Sequence, residues 1–156
     1  MALSTGIHHV AVVTRDLDLF LSFYGGVFDA PLMFDILEGG LRHAAVDLGA
    51  GSALHAFQID GNQHATGLPV MFDRGHLDHL AIGVADPERL ERARRRLVDA
   101  GASDGTVHDF GSVLSVPFRD PDGFEGEVAL WRDAPTRTLA ERTVVPAAQE
   151  LLEPNG

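Results

Sequence analysis

The sequence predicts an α+β fold made of two copies of one β-α-β-β-β module, and three observations carry that prediction. First, the stretch IHHVAVVTRD, Ile7 to Asp16, returns as LDHLAIGVAD, Leu77 to Asp86, so that His9 meets His79, Ala11 meets Ala81 and Asp16 meets Asp86. A self-match of this kind marks two copies of one supersecondary unit, although two are too few for a solenoid. Second, the Asp that closes each stretch opens an amphipathic helix pattern. Third, each helix pattern is followed by three short apolar runs set apart by turn residues.

In chain order, residues 7–14 alternate as a strand, with His9, Ala11 and Val13 on one face and His8, Val10 and Val12 on the other. Asp16 caps a helix whose buried stripe is Leu17, Phe20, Leu21, Tyr24, Val27 and Phe28, and Gly25-Gly26 is expected to end or fray it. Strands follow at 31–37, 41–48 and 52–59, separated by Gly39-Gly40 and by Gly49-Ala50-Gly51. The second copy begins at Leu77. Asp86 caps its helix, Pro87 stands at the first helical position, Leu90, Ala93, Leu97 and Val98 form the stripe, and Gly101 stops it. Strands at 104–109, 112–118 and 125–131 complete the copy, the last two joined by Asp120-Pro121-Asp122-Gly123, read as a plain turn. The organisation is a first module over 1–60, a linker over 61–76, a second module over 77–132 and a C-terminal extension over 133–156, with one short helix expected near 146–152.

Composition narrows the function. At 156 residues and 45% hydrophobic, the chain can bury a core as one domain or as two halves sharing one. A net charge of −11 speaks against nucleic acid or an anionic membrane surface as partner. The arginines at 89, 92, 94, 95 and 96 cluster, but on one helix, where a solvated face is the expected role. With no cysteine, disulfides, thiolate metal sites and Cys nucleophiles are excluded. No apolar run approaches a membrane span and no secretory signal is visible, so a cytoplasmic location is the expectation. There is no G-x-S-x-G elbow, no P-loop and no G-x-G-x-x-G.

Eight histidines are the chemical skew worth following. Four polar residues interrupt otherwise apolar strands: His9 and His55 in the first module, His79 and Glu127 in the second. His9 to His55 spans 46 positions and His79 to Glu127 spans 48, each from the first strand of a module to its last. A lone strand histidine is ordinarily a satisfied core residue. Recurrence at the same place on the same face in both copies argues instead for His9, His55, His79 and Glu127 as ligands of one divalent ion, Fe, Mn, Ni, Co or Zn. Glu127, His43 and His108 are the candidate acid–base residues, His43 sharing a strand face with Asp47 at even spacing. His8 falls on the helix-facing side, and His64 and His76 lie in or beside the linker.

These residues resemble the vicinal oxygen chelate superfamily, which includes glyoxalase I, extradiol ring-cleavage dioxygenases, methylmalonyl-CoA epimerase and the fosfomycin- and bleomycin-resistance proteins. The resemblance rests on IHHVAVVTRDLDLFLSFYGGVF, on LDHLAIGVAD and on FRDPDGFEGEVALW, and covers about residues 6–132. It implies paired βαβββ modules forming a cup-shaped mixed sheet around a metal, with His9, His79 and Glu127 at three ligand positions. His55 stands where glyoxalase-like members place a Glu or Gln. The extradiol enzymes characteristically carry a cavity Tyr before the closing Glu; here Phe118 stands near that place. The implied protein is a metal-dependent lyase or isomerase acting on a small molecule chelated through adjacent oxygens. The alternatives are an Fe(II) dioxygenase and a non-catalytic antibiotic-binding resistance protein. The resemblance also implies a homodimer.

Overall fold

The computed structural model describes residues 4, 7–62, 77, 79–111, 113–132 and 143–145. The chain divides into two compact units, Met1–Leu68 and Pro69–Gly156. The first unit runs β1 (His9–Val13), α1 (Leu17–Phe28), β2 (Leu32–Glu38), β3 (Leu41–Gly49) and β4 (Ser52–Ile59). Its sheet has the order β1-β4-β3-β2, with β1 parallel to β4 and the other pairs antiparallel. The period-2 alternation of the strands decides what each face carries. Ala44, Val46, Leu54 and Ala56 bury one face, and the Leu17, Phe20, Tyr24 and Val27 stripe of α1, which packs on β3 and β4, is buried with them. Each large apolar side chain so buried contributes about 1.5–3 kcal/mol. The other face carries His9, His43 and His55.

The start of α1 is held from two sides. The Asp16 carboxylate accepts from the Leu19 amide at 3.0 Å, and Gln58, from β4, accepts from the Leu17 amide at 2.7 Å. Two of the helix's unpaired first-turn donors are thereby satisfied. Contrary to the sequence expectation, α1 does not end at Gly25-Gly26 but continues to Phe28, capped by Asp29 in the left-handed region at φ 53°. Two helical glycines cost about 1 kcal/mol each relative to alanine. Burial of Val27 and the stacking of Phe28 on Tyr24, at 5.8 Å, reward the additional residues.

The second unit runs β5 (Leu80–Gly83), α2 (Pro87–Asp99), β6 (Val107–Asp109), β7 (Val113–Arg119), β8 (Glu125–Trp131) and β9 (Thr143–Val145). The sheet order is β5-β8-β7-β6-β9, with β5 parallel to β8. Its buried face holds Ile82, Val107, Leu114, Val116, Phe118, Val128 and Leu130, and α2, which packs on β8, buries Leu90, Ala93 and Leu97. Asp86 caps α2 by accepting from the Arg89 amide at 2.8 Å, and Gly101, at φ +67°, follows its end. The C-terminal extension contributes β9, a strand the sequence did not reveal, which pairs antiparallel with β6. The helix expected near 146–152, like His64 and His76, lies outside the described residues.

One arginine of the α2 cluster departs from the expected solvated face. Arg94 is 3% exposed, bonded to Glu91 at 3.0 Å and donating to the Gly105 carbonyl at 2.6 Å. It sits one turn from Leu90 and Leu97 on the inward stripe, and the carboxylate beside it compensates the buried charge. Among the described residues, no helix is long and apolar enough to cross a membrane.

Candidate functional site

The strand register places the sequence-selected residues within each unit. In the first, Ala11 of β1 pairs with His55 of β4, and His9 lies one alternation away on the same face. In the second, Ala81 of β5 pairs with Glu127 of β8, and His79, just before β5, lies two residues from Ala81. Ala11 and Ala81 correspond under the repeat. His55 and Glu127 are therefore equivalent positions, each facing the same alanine across the same parallel pair. Neither shares the face that its unit's helix covers.

The first unit's open face is a cluster of imidazoles set between phenyl rings. His9 and His55 have ring centroids 6.0 Å apart, and His8 turns to bring its Nδ1 within 2.9 Å of His9 Nδ1. His8 was expected on the helix-facing side. It precedes β1, so strand alternation does not govern it. His43, on β3, places Nδ1 at 2.9 Å from His55 Nε2. Phe57 stacks on the His43 ring at 5.4 Å and 4°, and packs against His55 at 4.1 Å. Phe34, on β2, meets both imidazoles edge-on at 5.6 and 5.3 Å. Burial in this apolar setting, reinforced by the neighbouring His43 and His9, pushes the His55 pKa down. His55 is therefore held neutral, the form that donates a lone pair to a metal. Asp47 shares the His43 face, but its carboxylate accepts from the Gly49 amide at 2.7 Å and serves the turn.

In the second unit, Glu127 is half-buried and pairs across β7 with Pro117. Glu125, on the same face, is bound to Arg119 at 2.6 Å, which leaves Glu127 as the carboxylate of β8 outside that ion pair. His108, on β6, pairs with Ser115 of β7, and Ser115 pairs with Ala129 of β8. His108 thus shares the Glu127 face but stands two strands away, about 10 Å. His108 Nδ1 and Ser115 Oγ are both buried without a hydrogen-bond partner among the described residues. Phe118 pairs with Gly126 and lies on the buried face with Val116, so it does not occupy a cavity position beside Glu127. The Asp120 carboxylate accepts from the Asp122 and Phe124 amides, both at 2.9 Å, as a turn residue does.

Among the described residues, no group of three His, Asp or Glu side chains is by itself arranged to hold an ion. The first unit offers the imidazoles of His9 and His55 on its open face, and the second offers the Glu127 carboxylate on its own, with His79 two residues ahead of Ala81 in the chain. That donor chemistry fits a borderline divalent cation. The His43–His55 contact and the unpartnered His108–Ser115 pair are features the sequence did not disclose. Even spacing along β3 pointed to the face of His43, but not to its partner.

Comparison with known proteins places this geometry. No curated protein matches the chain in sequence. Among solved structures, it is similar to a glyoxylase/bleomycin resistance protein/dioxygenase domain from Frankia sp. EAN1pec, with 26% identity, a TM-score of 0.70 and coverage of 86% of this chain and 96% of that one. A glyoxalase/dioxygenase from Nostoc punctiforme matches with 21% identity and a TM-score of 0.62, over 82% of this chain and 92% of that one. The genomically encoded fosfomycin resistance protein FosX from Listeria monocytogenes, solved with Mn(II) and sulfate, shares the fold at 16% identity and a TM-score of 0.61, over 84% of this chain and 96% of that one. The family model for the glyoxalase/bleomycin resistance protein/dioxygenase superfamily matches residues 6–128. The two β-α-β-β-β units, with the same register in each, thus identify the chain as a member of the glyoxalase/bleomycin resistance protein/dioxygenase superfamily.

Proposed function

We propose that the protein is a divalent-metal-dependent enzyme of the vicinal oxygen chelate type, a lyase or isomerase acting on a small molecule that presents two adjacent oxygens. His9, His55, His79 and Glu127 would hold the ion, whether the two units pair within one chain or across a homodimer. The observation that carries this reading is the matched register. His55 opposite Ala11 and Glu127 opposite Ala81 occupy the same place in two copies of one unit, both on the face left open by the helix. Four protein donors on a six-coordinate ion leave two sites, the number a chelating substrate needs. FosX, of the same fold, is described with Mn(II) bound.

When bound, the ion supplies Lewis-acid stabilisation of charge developing on substrate oxygen, worth several kcal/mol. The chain's own residues do the rest. Phe34 and Phe57 pack against His55 and make its surroundings less polar. The Glu127 carboxylate is the candidate base for a proton next to the chelated oxygens, giving an enolate or ene-diolate. His43 reaches the reacting atoms through His55, and His108 is the candidate acid or base at the far side of the same face as Glu127.

A specific observation also favours a second reading. If His43 is the donor to His55 Nε2, His55 keeps no lone pair for an ion, and His9, His79 and Glu127 alone make a 2-His-1-carboxylate set, the non-haem Fe(II) pattern. Elemental analysis of the purified protein beside His9→Ala and Glu127→Ala, followed by an oxygen-uptake screen with catechols, separates the two. Metal lost in both variants with no oxygen consumed supports the lyase or isomerase. Fe(II)-dependent oxygen uptake supports the dioxygenase. Ligand binding that survives simultaneous replacement of His9, His79 and Glu127 would mark a non-catalytic binder.

A further inference from the structure

The 2.9 Å contact between His43 Nδ1 and His55 Nε2 needs one proton between two nitrogens, and the two ways of supplying it have different consequences. If His43 Nδ1–H donates, His55 spends its Nε2 lone pair on the hydrogen bond and carries its proton on Nδ1. A neutral His55 then has no lone pair left for an ion. If His55 Nε2–H donates, His43 accepts at Nδ1 and the His55 Nδ1 lone pair stays free. Only the second arrangement leaves His55 able to ligate.

We propose that His43 is a positioning residue: by accepting from His55 Nε2, it commits His55 to Nδ1 as its metal-facing atom. The inference rests on the metal reading above and names which atom of the first unit completes it. The surroundings support it. Phe57 fixes the plane of the His43 ring by stacking at 5.4 Å and 4°, and Phe34 closes on both imidazoles edge-on, so the accepting nitrogen is held in one direction. Metal-ligating histidines commonly donate their second ring N–H to such an acceptor, which fixes the tautomer and raises ligand basicity. The equivalent place in the second unit carries Ser115, opposite Ala129 as His43 is opposite Phe57. A carboxylate has no tautomer to fix, so no such partner is needed there.

Three proteins and two readouts test this. Co(II) affinity is measured for the wild type, for His43→Phe, which keeps a ring against Phe57 but has no acceptor, and for His43→Asn, which restores an acceptor oxygen. The expected result is about 10- to 100-fold weaker binding in His43→Phe and recovery to within a few-fold in His43→Asn, with circular dichroism unchanged. Nitrogen-15 spectra of metal-free wild type supply the second readout, which requires no variant to fold, and are expected to show His55 protonated at Nε2. Equal Co(II) affinity in all three proteins, or a His55 protonated at Nδ1, would overturn the positioning role alone. A wild type that takes up no Co(II) would overturn the metal reading with it.

Discussion

His43 and Ser115 occupy the same place in the two sheets, and their fates differ. His43 finds His55 across the β3–β4 pair, whereas Ser115 Oγ finds no partner among the described residues. Two residues further along the donor strands, Phe57 in the first unit answers to Ala129 in the second. The first face sets imidazoles between phenyl rings, and the second is small-sided around a carboxylate. Their outer strands differ as well. β2 is the outermost strand of its sheet, with Leu37 72% exposed, whereas in the second unit β9 pairs along β6. The two units keep one frame but fill it differently: imidazoles on one open face, a carboxylate on the other.

The helices show the same divergence, and there the largest effect is expected. α1 is anchored by Phe20 and Tyr24, whereas α2 buries an ion pair, Arg94–Glu91. Glu91→Ala would leave the Arg94 charge buried without its carboxylate and should cost about 3–5 kcal/mol in a denaturant titration. A loss below 1 kcal/mol would show that the partners of Arg94 other than Glu91, the Gly105 carbonyl among them, suffice. The sheets carry a second contrast. Gly126, paired with Leu80 and Phe118, stands where the first unit has Leu54, paired with Val10 and Val46. Large and small have changed places, since a Cβ at Gly126 would run into the Phe118 ring. Leu54→Ala should cost about 2–5 kcal/mol through the cavity left behind. Gly126→Ala should cost about 1–3 kcal/mol through overpacking, and pairing it with Phe118→Leu should recover most of that loss.

Smaller effects sharpen the comparison. Ser115→Ala removes a buried hydroxyl whose unmet hydrogen bond costs about 1–3 kcal/mol, so the variant should unfold at equal or higher denaturant than the wild type. A clear loss of stability would mean that Ser115 has a partner in solution. The smallest change is expected at the surface clasp of the first unit. Arg42 hydrogen-bonds Asp35 at 2.7 Å and holds its carboxyl below the ordinary range. That contribution is complete above the unfolded value of about 3.9 and fades as pH falls through the lower folded value. The pair is largely solvated, so Asp35→Asn should only slightly flatten the acid limb of the stability curve.

Much of the frame was legible in the sequence because alternation and capping are local. Asp16 and Asp86 cap as expected, and the strands begin within a few residues of their sequence assignments. What the sequence hid depends on partners far along the chain. Three residues, Thr143 to Val145, become a strand only because β6 offers an edge. Arg94 reads as a solvated charge until Glu91 and Gly105 are seen around it. His43 was matched to Asp47 by even spacing, whereas the antiparallel register across β3 and β4 delivers it to His55.

The most direct test is a Co(II) titration followed by absorption, with equilibrium dialysis counting bound ions, on the wild type, His55→Ala and Glu127→Ala. These residues hold equivalent positions in the two units and are the proposed donors. One ion per chain in the wild type, lost or greatly weakened by either substitution, is the expected result. Undiminished binding in both variants, or no uptake by the wild type, would contradict a shared centre.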